Sequence, residues 1–137
     1  MDVIEMLADF RVIYRFLPLS KSQTMNPPRQ GYYPNWVYAE DYSEEEATRR
    51  HSHLPTFMIL PLFVDEDGLA YDKGEVLPLE GYADMRVLFD EMRATHRRRI
   101  KVGTAGYFVE GGRVVAEATV VDMLYLNHDK HERRVKY

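Results

Sequence analysis

The chain contains no cysteine. That absence excludes disulfides, thiolate zinc sites, iron–sulfur clusters and a cysteine nucleophile, and it fits a reducing compartment. No apolar run approaches the ~20 residues that a membrane-spanning helix needs. The opening, Met1-Asp2-Val3-Ile4-Glu5, lacks the basic end and apolar stretch of a secretory signal. The expectation is a cytoplasmic protein with no membrane association. The phosphate-cradling pattern Gly-x-x-x-x-Gly-Lys-[Ser/Thr] is missing, so GTP binding is not expected. The nucleophile elbow Gly-x-Ser-x-Gly is missing as well. Nor is there a basic excess, since the formal net charge of -4 has the wrong sign for a dedicated nucleic-acid binder.

What is present suits one soluble domain spanning residues 1–137. The 137 residues are 45% hydrophobic and 29% charged, close to a globular average. A chain of this length removes roughly two-thirds of its unfolded surface from water without cross-links. Charge is unevenly spread. Glu40, Asp41, Glu44, Glu45 and Glu46 form an acidic block, and Arg93, Arg97, Arg98, Arg99 and Lys101 a basic one. Such asymmetry steers partners together, although solvated surface serves solubility equally well.

Residues 10–17, rich in β-branched and aromatic side chains, read as a strand ended by Pro18. Residues 18–31 read as a loop. Residues 32–38 are again β-prone, with Pro34 marking an edge or bulge. Residues 39–53 are the helical candidate: Ser43 and Glu46 have capping-box spacing, and acidic residues precede basic ones. Residues 56–64 suggest a buried strand bent at Pro61, closed by an Asp67-Gly68 turn. A short strand is expected at 75–81, and a half-buried one over 83–89 with Met85, Val87 and Phe89 inward. A basic loop follows. The clearest hairpin joins 104–110 to 113–126 through Gly111-Gly112, which accept the positive φ of a tight turn. Phe108 and Val120 should face inward across it. The tail, 127–137, is charged and expected to fray. Many short strands with one doubtful helix define an all-β sandwich or barrel.

Three stretches carry a resemblance. Phe10-Arg11-Val12-Ile13-Tyr14-Arg15-Phe16-Leu17 is similar to the opening strand of the third domain of elongation factor Tu. Gly31-Tyr32-Tyr33-Pro34-Asn35-Trp36-Val37-Tyr38 resembles that domain's Gly-Tyr-Arg-Pro-Gln-Phe-Tyr-Phe stretch, and Gly106 to Val115 its closing hairpin. Val76-Leu77-Pro78 falls where the family has a Met-Pro-Gly turn. The match runs over residues 10–124 in order. It implies a closed six-stranded antiparallel β-barrel over about 10–126, with a short helical or loop insertion. In the full factor this domain contacts the T-stem of aminoacyl-tRNA and the exchange factor. The family's Gly-Gly-Arg loop is replaced here by residues 20–27, its Arg and Gln by Tyr33 and Asn35, and residues 39–55 look inserted. A shared scaffold therefore does not by itself transfer tRNA binding.

Residues suited to chemistry are sparse. His51 with His53, and His128 with His131, have metal-ligand spacing but lack a convincing third ligand. Asp65, Glu66 and Asp67 are better explained by the turn at Gly68. No catalytic, cofactor or metal residue is assigned, and the chain reads as a non-enzymatic binding module. In a strand, Trp36 shares a face with Tyr32, Pro34 and Tyr38. Assigning that face to the core leaves Tyr33 and Asn35 as surface contacts. Two readings remain. One is a protein-binding module of regulatory or immunity-like kind, using the acidic insertion or the aromatic edge. The other is a structured-RNA or tRNA-binding accessory protein, using Arg97, Arg98, Arg99 and Lys101.

Overall fold

A computed structural model describes residues 7–18, 27–47 and 54–128. Six strands form: β1 (Phe10–Phe16), β2 (Asn35–Tyr38), β3 (Ile59–Val64), β4 (Glu80–Val87), β5 (Ala105–Glu110) and β6 (Arg113–Met123), with buried and less buried positions alternating most regularly in β1 and β4 and β2 buried at Trp36, Val37 and Tyr38 alike. Each neighbouring pair is antiparallel, in the order β2-β5-β6-β1-β4-β3. The sheet curls around one core. Phe10, Val12 and Tyr14 of β1 meet Trp36 and Tyr38 of β2, Phe63 of β3, Met85 of β4 and Phe108 of β5, all buried. Phe108 and Val120 face inward as expected, and so does the Trp36 side of β2. Gly111 and Gly112 turn the last hairpin at φ 56° and 80°. Among the described residues, no helix is long and apolar enough to cross a membrane.

The sheet is a curled half-barrel, which corrects the expectation of a closed barrel. Its edge strands β2 and β3 form no ladder. They meet through a single backbone pair, Trp36 with Phe57, whose two N–H···O bonds measure 2.9 and 2.8 Å. The local sequence explains why pairing stops. β2 has four residues and runs into a 3-10 turn at Ala39–Asp41. Pro61, on the edge of β3 shared with Phe63, has no N–H to donate. Farther along this seam a side chain takes the place of a strand. The buried amide of Gln30 accepts from Phe63 N–H at 3.0 Å and donates to the carbonyls of Phe63 and Tyr71 at 2.7 and 3.0 Å.

Several local expectations are also corrected. Residues 32–34 precede the strand rather than join it. Val76 makes an isolated bridge to Arg29 instead of a strand. Phe89 lies past the end of β4 and is exposed. By contrast, the short helix or turn expected within 39–53 is present as the 3-10 turn and a four-residue helix, α1 (Glu44–Ala47), which Ser43 Oγ caps through Glu46 N–H at 3.2 Å; residues 48–53 lie outside the described residues. The expected basic loop is instead helix α2 (Arg93–Arg99). Of the tail, the His128 carbonyl accepts from Arg93 and Arg97 of α2, and 129–137 lie outside the described residues.

Gly106 is set by packing. Its strand passes directly over Trp36, and a Cβ there would overlap the indole ring. Gly106→Ala should therefore destabilise by about 1–3 kcal/mol through overpacking, and Phe108→Ala by roughly 3–5 kcal/mol. Tyr33→Ala, at an exposed position, should stay within about half a kcal/mol. Urea unfolding of the three variants checks this order.

Candidate interaction site

Helix α2 organises the region around the candidate site. Met92, His96 and Ile100 recur every fourth residue and pack against the core. Asp90 and Glu91 stand at the helix entrance and the arginines at its exit, the arrangement the helix dipole favours. Arg93 is buried and donates to Asp9 Oδ1 at 2.5 Å; Asp9, wholly buried, accepts Val87 N–H through Oδ2 at 2.8 Å. The Arg93 Nη2 group also donates to the carbonyls of Tyr125, Leu126 and His128 at 2.8–3.2 Å.

The basic residues singled out from sequence separate into two groups. Arg97 donates to the carbonyls of Leu126 and His128, both at 2.7 Å. Arg99 bridges Glu40 at 2.6 Å and Asp41 at 2.8 Å, and its guanidinium lies 3.7 Å above the Tyr38 ring. These two arginines are fasteners between elements, and Arg99 neutralises the front of the acidic block. Arg98 and Lys101 remain exposed. Tyr33 is 60% exposed, and Asn35 is half-buried opposite Val109. Tyr33 and Asn35 therefore sit on and before β2, while the cationic positions lie on and after α2.

A separate concavity lies between α2 and the ends of β3 and β4, with a volume of about 180 Å³. Thr56, Phe57 and Met58 line it from the approach to β3. Val87 and Phe89 line it from the end of β4, and Met92 and His96 from α2 and its entrance. Met58 and Phe89 stay 46% and 47% exposed at its mouth. His96, 1% exposed, lies 2.6 Å through Nδ1 from the Tyr38 hydroxyl. Its ring meets Phe57 edge-on with centroids 4.8 Å apart. Burial pushes the His96 imidazole down to about 4, helped by the charge of Arg99 and opposed by Asp9. Burial also raises the Tyr38 hydroxyl above its ordinary value, so both groups are neutral near pH 7.

None of the pocket's seven lining residues was singled out from sequence as a site residue. The available signal was the four-residue spacing of Met92, His96 and Ile100, hidden within an arginine-rich run. Among the described residues, no three His, Cys, Asp or Glu side chains come together as a metal site. His51, His53 and His131 lie outside the described residues. The lining offers apolar contact plus an imidazole that is neutral near pH 7. No protein-family model matches the chain, and no curated protein matches it.

Two outcomes follow. Arg93→Ala leaves Asp9 buried without its cation and should cost roughly 3–5 kcal/mol, whereas Arg98→Ala should change thermal stability by about half a kcal/mol or less. His96 makes stability depend on pH. Above its unfolded value of 6.5 the imidazole is neutral in both states and no dependence arises. Between 6.5 and about 4 the unfolded chain binds a proton that the folded chain refuses. Stability contributed by the neutral ring thus falls as pH drops through that window, by roughly 3 kcal/mol in total. Urea midpoints taken across this range should lose that portion of the slope in His96→Gln.

Proposed function

We propose that the chain is a non-catalytic binding module whose partner is a protein, built on a barrel scaffold like the third domain of elongation factor Tu. The scaffold reading is supported by where the resembling stretches fall: the first is β1, the aromatic one ends in β2, and the Gly-Gly one forms the β5–β6 turn. The seam between β2 and β3 departs from a fully closed barrel, and Pro61 accounts for part of that departure.

The observation that carries the protein reading is the apolar mouth formed by Met58 and Phe89 over a pocket lined largely by hydrocarbon. Aromatic and methionine side chains around a pocket are the groups that dominate protein interfaces once water is expelled. The RNA reading loses its main support. Arg93, Arg97 and Arg99 are engaged within the fold, which leaves Arg98 and Lys101 as the cations of this cluster free for phosphates. Two phosphate contacts give a shallow salt dependence, with a slope of roughly two.

The immobilised protein, incubated with extract of its host, should retain a discrete protein in a nuclease-resistant manner. Phe89→Asp and Met58→Asp, both at exposed positions, should abolish that retention, and the Arg98→Ala, Lys101→Ala pair should leave it intact. Retention of RNA that disappears with the Arg98 and Lys101 changes and survives Phe89→Asp would reverse the assignment.

A further inference from the structure

Arg99 closes α2, and its guanidinium is received by a short stretch of chain, Tyr38 to Asp41. The Tyr38 ring forms the floor, with Arg99 Cζ 3.7 Å from its centroid. Glu40 Oε1 and Asp41 Oδ2 form the sides, 2.6 Å from Nη2 and 2.8 Å from Nη1. An aromatic face with two carboxylates at its rim is a receptor for a guanidinium: the ring attracts the flat cation, and the oxygens take its N–H groups. A lysine ammonium suits such a site less well, being compact, strongly hydrated and without a planar fork.

Both walls of this cradle have supports besides Arg99. The Tyr38 hydroxyl lies 2.6 Å from His96 Nδ1, and Trp36 and Phe57 meet the ring edge-on, each with centroids 5.8 Å apart. The turn carrying Glu40 and Asp41 is closed by Tyr42 N–H on the Ala39 carbonyl at 3.2 Å. The Tyr42 ring in turn leans on Tyr107 of β5, with centroids 5.1 Å apart. Helix α2 is secured separately, through Arg93 and Arg97. One guanidinium can therefore be exchanged for another while the acceptors keep their places. The cradle is also open to water: the side chains of Arg99 and Asp41 are 25% and 27% exposed, and that of Glu40 73%. A displaced Arg99 stays at the C-terminal end of α2, where a cation is favoured.

We propose that Tyr38, Glu40 and Asp41 form a binding site for an arginine side chain of the protein partner, masked in the free chain by Arg99. This assignment rests on the protein-binding reading and adds a polar anchor to it. Phe57, which lines the apolar concavity, packs edge-on against Tyr38, so the cradle and the concavity share one aromatic wall. Arg99 acts as an autoinhibitory contact, since the partner's affinity is reduced by the fraction of molecules that keep it in place. The front of the acidic block thus answers to a cation that matches the planar fork of Arg99, and general positive charge is not enough.

The test uses the full chain carrying Arg99→Ala, with N-acetyl-argininamide against N-acetyl-lysinamide as probes. Amide NMR signals of Glu40 and Asp41 and the ring signals of Tyr38 report occupancy. Saturable binding of N-acetyl-argininamide is expected, several-fold tighter than N-acetyl-lysinamide and weakening as salt rises. The unsubstituted chain should bind the same probe several-fold more weakly, because Arg99 competes from within the molecule. Glu40→Gln with Asp41→Asn, added to Arg99→Ala, should abolish binding. Absence of saturable binding, or equal binding of the two probes, would overturn the proposal. So would loss of the Tyr42–Tyr107 ring contact in Arg99→Ala, because the cradle would then be of Arg99's own making. In the host-extract experiment, Arg99→Ala should strengthen retention of the protein, and the Glu40→Gln, Asp41→Asn pair should weaken it. If retention ignores both changes while Phe89→Asp abolishes it, the arginine assignment fails and the protein-binding reading stands. If retention follows them and ignores Phe89→Asp, the arginine site stands and the apolar mouth does not. If no protein is retained, the protein reading fails and takes the partner's arginine with it.

Discussion

The buried ion pair between Asp9 and Arg93 joins the start of β1, the end of β4, helix α2 and the segment after β6. Asp9 sits one residue before β1 and binds the last amide of β4 through its carboxylate. Its backbone N–H donates to Met85, and its carbonyl accepts from Leu124 and Leu126 beyond β6. Arg93 brings the first turn of α2 to this junction and secures the same segment through three carbonyls. Taking both charges out of water is expensive, and the attraction between them is supported by the Val87 amide on Asp9 and by three backbone carbonyls on Arg93. Arg93 Nε is buried with no hydrogen-bond partner. The arrangement gains definition: it fixes where α2 lies on the open end of the sheet.

The position of α2 in turn makes the pocket. His96 is one turn along from Arg93 and faces the same interior. Holding Arg93 holds the imidazole against Tyr38 and Phe57. The apolar wall then comes from segments 56–58 and 87–92, which are distant in sequence and adjacent because β3 and β4 are paired with Ile59 opposite Val87.

Much of the sheet was legible because its determinants are local. Alternation in β1 and β4 follows the two-residue repeat of a strand, and the Gly-Gly turn declares its hairpin. What was not legible depends on partners far along the chain. Arg97 and Arg99 look like free cations in sequence, yet one binds backbone carbonyls some 30 residues away and the other carboxylates of the supposed insertion. The helix holding them was masked by its own charge, since four arginines in seven residues leave little apolar stripe to recognise. His96 gave no signal as a lone histidine; its role comes from Tyr38, 58 positions earlier. Barrel closure was expected from strand number and resemblance, but a four-residue β2 and the missing amide of Pro61 end the pairing early.

The side-chain amide of Gln30 gives the seam a different character from the ladders around it. A ladder amide is released only when a strand separates from its neighbour, a cooperative event. The Phe63 amide at the seam is instead held by one rotatable side chain, and a change of rotamer frees it while every strand pairing stays in place. Protection of the Phe63 amide therefore rests on one glutamine side chain and not on a neighbouring strand, although the residue sits in the fully buried core. The seam between β2 and β3 is thus closed in part by the torsions of one glutamine, where the rest of the sheet is closed by backbone ladders.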